Sequence, residues 1–303
     1  MHVSNEIMDN PRADRVRRIA QLAQSRARKK SGLFLVEGPQ SVRELVACCP
    51  RIIRNIYVQT SLDHDGAHDD SCEVARIHAS STVIASILDH PNMEDVYVHY
   101  VSDAVMRQIS DDAQGIVAVA ESGAMVHELT EFLQAPAPRK PMMLAAFWQI
   151  RDPGNAGTVI RAADAAGCRA VVFVDDCVDA FNTKVIRSTA GSLFHIPVIR
   201  MCADDFFASL QEADIPVIAA DVHGVEGRES ESLQKVARDD SLSHGSMALL
   251  FGNEARGLPD EILRRSSRIA YIPMYGKAES LNLATSAAIM LHTLAMSSHV
   301  ERI

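Results

Sequence analysis

Apolar residues along this chain come in short blocks, and each block is followed by a polar segment that contains glycine, proline or charged residues. Such blocks have the length of buried strands, whereas the longer Ala-rich stretches between them carry apolar residues at a helical period. In the C-terminal half, this pattern predicts strands at 142–150, 170–174, 196–200, 215–220, 247–251 and 269–272. It predicts helices at 156–166, 182–190, 203–213, 259–264 and 280–297. Regular alternation of strands and helices indicates an α/β domain with a parallel sheet.

The N-terminal part shows a less regular version of the same pattern. Helices are predicted at Pro11–Lys30, which is basic, and at Ser41–Ala47, with a strand-to-helix turn at Gly38-Pro39. Strands are predicted at Leu33–Val36, Ile52–Val58 and Ile116–Ala120. We therefore expect a small α/β domain over residues 12–121. A proline-containing linker or bridging helix is expected at 122–140, followed by a second domain at 141–303.

Composition places the chain among globular proteins. Its 303 residues, of which 47% are hydrophobic and 23% charged, allow one large or two ordinary domains. The longest apolar runs are too short to cross a bilayer, and Met1–Asp9 lacks the apolar core of a signal peptide. The six cysteines form no C-x-x-C pair, and no histidines have metal-ligand spacing. We expect a reduced, cytoplasmic protein with no membrane partner and no structural metal.

Net charge gives a mixed signal about nucleic acids. A formal charge of −9 argues against an RNA-binding protein, but the first 30 residues contain eight Lys or Arg and only three Asp or Glu. Acidic residues gather in two segments that we expect to be loops, Ser61–Glu73 and Val225–Ser246. The basic residues are either a solvated helix face or contacts to RNA phosphates. The candidates for phosphate contact are Arg15, Arg17, Arg18, Arg28, Lys29 and Lys30.

Three predicted strand ends carry polar loops that contain glycine, and α/β proteins bind ligands at such positions. Motif 1 is residues 151–161 (RDPGNAGTVIR), after the strand at 142–150. Motif 2 is residues 247–259 (MALLFGNEARGLP), where an apolar strand runs directly into Gly252. Motif 3 is residues 272–290, a loop that leads into the last helix. Neither a G-x-G-x-x-G sequence nor a P-loop sequence occurs, so two common nucleotide-binding sites have no signature here.

In order and spacing, these motifs resemble those of the SpoU/TrmH family of RNA 2′-O-ribose methyltransferases. The matching residues are Asn155-x-Gly157-x-x-x-Arg161, Gly252-Asn253-Glu254 with Gly257-Leu258, and Ile272-Pro273 with Ser280-Leu281-Asn282 and Ala287. The resemblance covers about residues 142–297. At Leu35–Gly38 the N-terminal part is more loosely similar to the family's RNA substrate-binding domain. The resemblance implies a SPOUT domain with a parallel sheet and a C-terminal trefoil knot, an RNA-binding domain before it, and a homodimer formed by the C-terminal domains.

The resemblance also implies a cofactor, S-adenosylmethionine, and the residues around it. The expected cofactor-binding residues are Gly252, Asn253, Ile272, Met274 and Leu281. The expected catalytic residues are Arg161, Asn155, Glu254, Ser280 and Asn282. Three of these have plainer interpretations: Asn155 as a turn residue, Glu254 as an ion-pair partner of Arg161 or Arg256, and Asn282 as a helix cap. A guanidinium stays protonated, so we expect Arg161 to stabilise charge on the ribose oxygen rather than to act as a base.

The expected activity is 2′-O-ribose methylation of RNA that uses S-adenosylmethionine, with ribosomal RNA favoured as the substrate. Two alternatives remain. One is a tRNA ribose methyltransferase, and the other is a non-catalytic RNA-binding or ribosome-assembly protein. Arg187 lies in a further segment, 187–192, that resembles the family and is a weaker candidate for phosphate contact.

Overall fold

The computed structural model describes residues 1–4, 6–60, 81–134, 142–239 and 245–298, which divide into two compact units. Unit 1 consists of Met1–Met125 and Phe181–Phe194, and unit 2 of Val126–Ala180 and His195–Ile303. The segment 181–194 therefore belongs to unit 1, although it lies within the region that resembles the methyltransferase domain. Within the described residues, no helix combines the length and apolarity that a membrane span requires.

Unit 1 contains a mixed five-stranded sheet in the order β1-β4-β3-β5-β2. Strand β5 is antiparallel to β2 and β3, whereas β4 is parallel to β1 and β3. Its strands are β1 (His2–Val3), β2 (Leu33–Glu37), β3 (Ile53–Gln59), β4 (Tyr97–Val101) and β5 (Ile116–Glu121). Its α-helices are Asp14–Ala20, Ser25–Ser31, Pro39–Cys48, Thr82–Leu88, Asp103–Ile109 and Thr183–Thr189.

One N-terminal prediction was wrong. The single basic helix expected at Pro11–Lys30 is two helices, because Gln21–Ala23 form a 3-10 turn and Gln24 is extended, with ψ at 132°. The strand-to-helix turn at Gly38-Pro39 is confirmed. Gly38 has a φ of +84°, which favours glycine, and Pro39 occupies the first turn of the next helix.

Unit 2 is built on a seven-stranded, entirely parallel sheet in the order β10-β12-β9-β11-β6-β7-β8. Its strands are β6 (Met143–Trp148), β7 (Ala170–Val174), β8 (Val198–Met201), β9 (Val217–Ala220), β10 (Glu231–Ser232), β11 (Met247–Phe251) and β12 (Arg268–Tyr271). Its α-helices are Leu129–Gln134, Pro153–Ala165, Ala203–Glu212, Leu233–Ala237, Asp260–Arg265 and Leu283–Ser298. The predicted α/β class and parallel sheet are confirmed, and the knot stays a prediction.

The central strands of unit 2 form without polar alternation because both faces of the sheet are covered. Every residue of β7 and β11 is buried, and Phe147 of β6 stacks on Phe251 of β11 with ring centres 5.2 Å apart. Continuous apolar strands of this kind are typical of parallel sheets with helices on both faces. The six loops after the predicted C-terminal strands therefore start at the carboxyl edge of one sheet, and the three motifs are among them.

The acidic segment 225–246 was expected to be a loop, and its described part is more ordered than that. It contains β10 and the helix Leu233–Ala237, and β10 pairs with β12. Arg268 of β12 donates hydrogen bonds to Glu231 at 3.0 and 3.1 Å and to Asp239 at 2.5 Å. Hydrogen bonds from Lys235 and Arg268 lower the pKa of Glu231. The acidic residues here balance a cation on the neighbouring strand. The other acidic segment, Ser61–Glu73, lies outside the described residues.

Candidate active site

Motif 1 begins with a capped helix. The Asp152 carboxylate accepts a hydrogen bond from the Asn155 backbone N–H at 2.7 Å, and Pro153 fills the first helical position. Both features favour a helix start, so the helix begins three residues before the predicted position. Asn155 is consequently in the first helical turn at the carboxyl edge of the sheet.

Glu254 of motif 2 joins this turn to the end of β11. Its Oε1 accepts hydrogen bonds from the Asp152 N–H at 3.2 Å and from Asn155 Nδ2 at 3.4 Å. Its Oε2 accepts one from the Arg151 N–H at 3.4 Å. The carboxylate thus serves as an acceptor for backbone and amide donors. The described structure gives it neither of the two ion pairs that were considered, with Arg161 or with Arg256.

Asn282 of motif 3 completes the connection. Its Nδ2 donates a hydrogen bond to Asn155 Oδ1 at 3.1 Å, and its Oδ1 accepts one from the Ala284 N–H at 2.8 Å. The second bond confirms that Asn282 caps the last helix, and the first shows that it also contacts motif 1. One chain of hydrogen bonds, Asn282–Asn155–Glu254, therefore connects all three motifs.

Asn253 has a structural side chain. Its Nδ2 donates to the Gln149 carbonyl at 2.8 Å, and its Oδ1 accepts from the Ala255 N–H at 3.0 Å. Its backbone exchanges two hydrogen bonds with Gly257, at 3.1 and 2.9 Å, which close the motif 2 turn. The side chain is 9% exposed. Its polar atoms are committed to the loop, so Asn253 shapes the site and has little left to offer a ligand.

A cavity of about 280 Å³ opens where these loops meet. This volume is near the lower end of the range of roughly 300–1,000 Å³ for small-ligand sites. Its lining includes all five residues expected to bind the cofactor, together with the expected catalytic residues Glu254 and Ser280. These residues lie in the segments that follow β11 and β12, and β9 and the last helix supply other parts of the lining. The sequence predictions therefore converge on one place.

At Gly252 the cavity wall is formed by backbone atoms, without a side chain. A Cβ atom at this position would lie 2.3 Å from the Gly257 carbonyl carbon and 2.6 Å from the Leu258 nitrogen. Real side chains do not approach backbone atoms so closely. The glycine therefore allows β11 and the returning turn to pass each other, and it leaves peptide groups on the cavity wall.

Asp221 is a lining residue that the motif comparison missed. It directly follows β9, and its Oδ1 accepts hydrogen bonds from the N–H groups of His223 and Gly224 at 2.8 and 2.9 Å. Its Oδ2 lies 4.0 Å from the Cβ position of Gly257, on the cavity side of the loop. An acidic residue immediately after a predicted strand was the available signal, because neighbouring parallel strands end at the same edge.

Arg161 is the one expected catalytic residue that the structure does not bring into this group. It lies six residues beyond Asn155, which is about 9 Å along the helix axis. Its side chain is exposed, and no hydrogen bond or ion pair to it is present among the described residues. The last helix packs against the helix that carries Arg161.

The six basic residues chosen as RNA contacts fall into two groups. Five are exposed on unit 1, and Arg15, Arg18 and Lys30 border one surface groove. Arg28 is different, because it is 5% exposed and donates hydrogen bonds to the carbonyls of Leu22 and Ala23 at 2.9 and 2.8 Å. The guanidinium binds the end of the preceding 3-10 turn, so Arg28 is a structural residue and its selection as a phosphate contact is corrected. Arg187 likewise pairs within unit 1, with Glu37 and with Asp112.

Comparison with known proteins agrees with this arrangement. A family model described as the SpoU rRNA Methylase family matches residues 142–292, and one described as the MRM3-like substrate binding domain matches residues 13–118. The 23S rRNA (guanosine(2553)-2′-O)-methyltransferase RlmP of Bacillus subtilis (strain 168) is 31% identical over 290 residues, which cover 95% of this chain and 98% of the relative. The chain belongs to the SpoU rRNA methylase family.

Solved structures of SpoU-type proteins share the fold. The AdoMet-bound rRNA methyltransferase from Sinorhizobium meliloti has a TM-score of 0.75 and 26% identity, with 99% of each chain covered. The SpoU methyltransferase AviRb from Streptomyces viridochromogenes has a TM-score of 0.72 and 21% identity, with 96% of this chain and 99% of AviRb covered. The second similarity concerns the fold alone. The predicted family and the order of its two domains are confirmed.

Proposed function

We propose that this protein methylates ribose 2′-hydroxyls of RNA with S-adenosylmethionine, and that its substrate is ribosomal RNA. The observation that carries this proposal is the Asn282–Asn155–Glu254 connection, which brings the three SpoU motifs together beside one cavity. The relative in Bacillus subtilis is named as a 23S rRNA 2′-O-methyltransferase over nearly the same length. The AdoMet-bound structure from Sinorhizobium meliloti supports the choice of cofactor.

The lining of the cavity suits S-adenosylmethionine in its apolar contacts and in its charge. Gly252 leaves peptide groups at the wall, and Ile272, Met274 and Leu281 supply apolar contacts for an adenosine. Among the described residues of the lining, the charged ones are Asp221 and Glu254, both acidic, and none is a lysine or an arginine. A negatively charged wall suits a ligand with a sulfonium and an ammonium group. Because Glu254 is hydrogen-bonded to the motif 1 turn, Asp221 is the carboxylate that faces a ligand.

When bound, S-adenosylmethionine supplies a methyl group that is already activated by the positive sulfur. The protein must therefore orient the ribose and favour the loss of the hydroxyl proton. Asn155 and Asn282 hold motifs 1 and 3 together through their mutual hydrogen bond, and Glu254 holds the motif 1 turn. Arg161 stabilises the charge that develops on the ribose oxygen. Ser280, exposed in the motif 3 loop, contacts the RNA or orients the loop.

Arg161 reaches an active site in a homodimer. It is exposed and far from the Asn155 group of its own chain, so it is suited to completing the site of a second copy. The last helix supports this assembly, because Ile289 and Met296 are 37% and 66% exposed and are seven residues apart on one face. Another face of this helix packs within the chain, since Ala284 and Ala287 are buried. The trefoil knot and a cytoplasmic location, where ribosomal RNA is found, are parts of the same proposal.

A methyl-transfer assay tests this function. The protein is incubated with S-[methyl-³H]adenosylmethionine and either in vitro-transcribed 23S rRNA or unmodified tRNA, and cofactor binding is measured by calorimetry. We expect label in 23S rRNA. We expect Arg161→Ala to lower kcat by about 10²–10³-fold, as for the loss of one charge-stabilising donor, with little change in cofactor Kd.

Each other outcome selects an alternative. Label in tRNA alone would make the protein a tRNA methyltransferase. Cofactor and RNA binding without transfer to either RNA would favour a non-catalytic RNA-binding protein. An Arg161→Ala variant with full activity would remove that residue from the mechanism.

A further inference from the structure

Gln149, directly after β6, has a backbone conformation that is unusual for its residue type. Its φ is +50°, in the left-handed region that favours glycine. Two hydrogen bonds fix it there: its N–H donates to the Val174 carbonyl at 3.0 Å, and its carbonyl accepts from Asn253 Nδ2 at 2.8 Å. Such strain costs on the order of 1–3 kcal/mol and is concentrated at functional sites. The strained backbone therefore indicates that Gln149 belongs to a functional site.

That side chain orients an exposed arginine. Gln149 Oε1 accepts a hydrogen bond from Arg256 Nη2 at 2.8 Å, and the Arg256 guanidinium carbon lies 5.9 Å from the centre of the Trp148 ring. The ring is fixed in turn, because Trp148 Nε1 donates to Asp175 Oδ2 at 2.7 Å. We call Trp148, Gln149 and Arg256 the β6 platform. It presents a cation in a fixed position, and most of the guanidinium donors remain available to a ligand.

The location of the β6 platform indicates what it binds. Trp148 and Gln149 lie at the end of β6, which is the neighbour of β11 on the side away from β9 and β12. Arg256 lies in the loop after β11, between the cavity-lining residues Ala255 and Gly257. Adjacent strands are about 4.8 Å apart, so the platform lies beside the cavity, on its β6 side. A methyl group is transferred in line, which requires the accepting oxygen on the side opposite the sulfur. With the cofactor on the β9–β12 side, the RNA approaches over β6.

We propose that the β6 platform binds the RNA next to the nucleotide that is methylated, with Arg256 contacting a backbone phosphate. This inference rests on the proposed function and gives Arg256, a motif 2 residue to which the resemblance assigned no site role, a contact with the substrate. Arginine suits the role because its planar fork binds phosphate oxygens in a defined geometry and stacks on an indole ring. Gln149 and Trp148 act as positioning residues, since they fix the direction of the guanidinium.

The first test compares steady-state kinetics of three variants on in vitro-transcribed 23S rRNA. We expect Arg256→Ala to raise the RNA KM about tenfold, equivalent to about 1.4 kcal/mol, with kcat and the S-adenosylmethionine Kd unchanged. Gln149→Gly keeps the backbone angle and removes the Oε1 acceptor, so we expect a smaller rise in RNA KM and no loss of thermal stability. The matched control is Arg264→Ala, because Arg264 is another exposed arginine of unit 2, paired with Asp260 on a separate helix. We expect this control to leave the RNA KM unchanged.

The second test distinguishes a phosphate contact from other contacts. Filter binding of the same RNA is measured from low to high potassium chloride for wild type and Arg256→Ala. Loss of one phosphate contact lowers the slope of log K against log salt by about 0.7–0.9. Weaker binding with an unchanged slope would place Arg256 on a base and overturn the phosphate assignment.

Two results would overturn the platform itself. One is an unchanged RNA KM and RNA affinity in Arg256→Ala, and the other is a parallel loss of S-adenosylmethionine affinity, which a merely structural role would cause. If wild-type protein transfers no methyl group, the proposed function fails, but the salt-dependent filter binding still decides whether Arg256 contacts RNA.

Discussion

Replacing Gly252 by alanine should damage cofactor binding more than its single added methyl group suggests. The new Cβ would lie 2.3 Å from the Gly257 carbonyl carbon, 2.6 Å from the Leu258 nitrogen and 2.7 Å from the Gly257 oxygen. All three are backbone atoms, so no side chain can rotate away, and either β11 or the motif 2 turn must move. Overpacking of a filled interior costs about 1–3 kcal/mol, and a clash with backbone belongs at the upper end of that range. For a domain of this size, each kcal/mol lowers Tm by roughly 2–4 °C.

The matched comparison is Gly276→Ala, in the motif 3 loop. A Cβ at Gly276 meets nothing within 4 Å, so the same chemical change causes no clash. Thermal unfolding and calorimetric titration with S-adenosylmethionine measure both variants. We expect Gly252→Ala to lower Tm by roughly 6–12 °C and to weaken the cofactor at least tenfold, with Gly276→Ala close to wild type. Wild-type cofactor affinity in Gly252→Ala would refute the assignment of this backbone to the cofactor wall.

Three further predictions concern other parts of the molecule. Asp221→Asn keeps an acceptor for the loop N–H groups but replaces the Oδ2 oxygen, so we expect calorimetry to show S-adenosylmethionine binding at least tenfold weaker. Equal weakening of 5′-methylthioadenosine would indicate that Asp221 contacts the ribose. Unchanged affinity for both ligands would show that Asp221 does not contact the cofactor. The folded-state pKa of Glu231 is lowered, so its stabilising effect is complete above 4.5 and is lost as the pH falls further. Urea unfolding should therefore show a smaller decline below pH 4.5 in Glu231→Gln than in wild type, and equal declines would contradict this account. Burial raises the pKa of Cys177 to about 11, so this thiol should resist alkylation by iodoacetamide in the native protein at pH 8. The exposed Cys202 should react under the same conditions. Mass spectrometry of the labelled peptides measures both, and equal labelling of the two cysteines would contradict the prediction.

Strands of unit 2 could be predicted closely because burial on both faces leaves a direct mark on sequence. Residues 170–174 and 247–251 were predicted with the bounds that the structure shows. The strand Tyr97–Val101 was missed, since its alternating exposure lacks a continuous apolar run. The break at Gln21–Ala23 was missed because neither glycine nor proline marks it. Local sequence patterns thus report complete burial better than they report partial burial or a change of helix type.

The site was predictable as far as the motifs extend. Asn155, Glu254 and Asn282 were selected by resemblance, and hydrogen bonds then connected them. Arg256 lies within motif 2 and Asp221 directly follows a predicted strand, but neither was selected, because their neighbours in the fold depend on the sheet order β9-β11-β6, which sequence spacing does not reveal. Arg28 was selected for its charge, although its side chain satisfies backbone carbonyls in the interior of unit 1. The charge of a side chain alone does not show whether it binds a phosphate or stabilises the fold.

Unit 1 is formed from two segments that are distant in the chain, and this affects the order in which the protein folds during synthesis. Glu37 is 6% exposed, and its carboxylate is paired with Arg187, which is 150 residues later in the chain. When only the first 134 residues have left the ribosome, the helix Thr183–Thr189, which packs against β2 and carries the Arg187 partner of Glu37, is missing from the unit. The N-terminal unit therefore reaches full stability only after residues 181–194 have emerged, when β6 and β7 are already outside the ribosome. Synthesis of the two units is thereby coupled in time, and a nascent chain that stops early lacks a finished N-terminal unit.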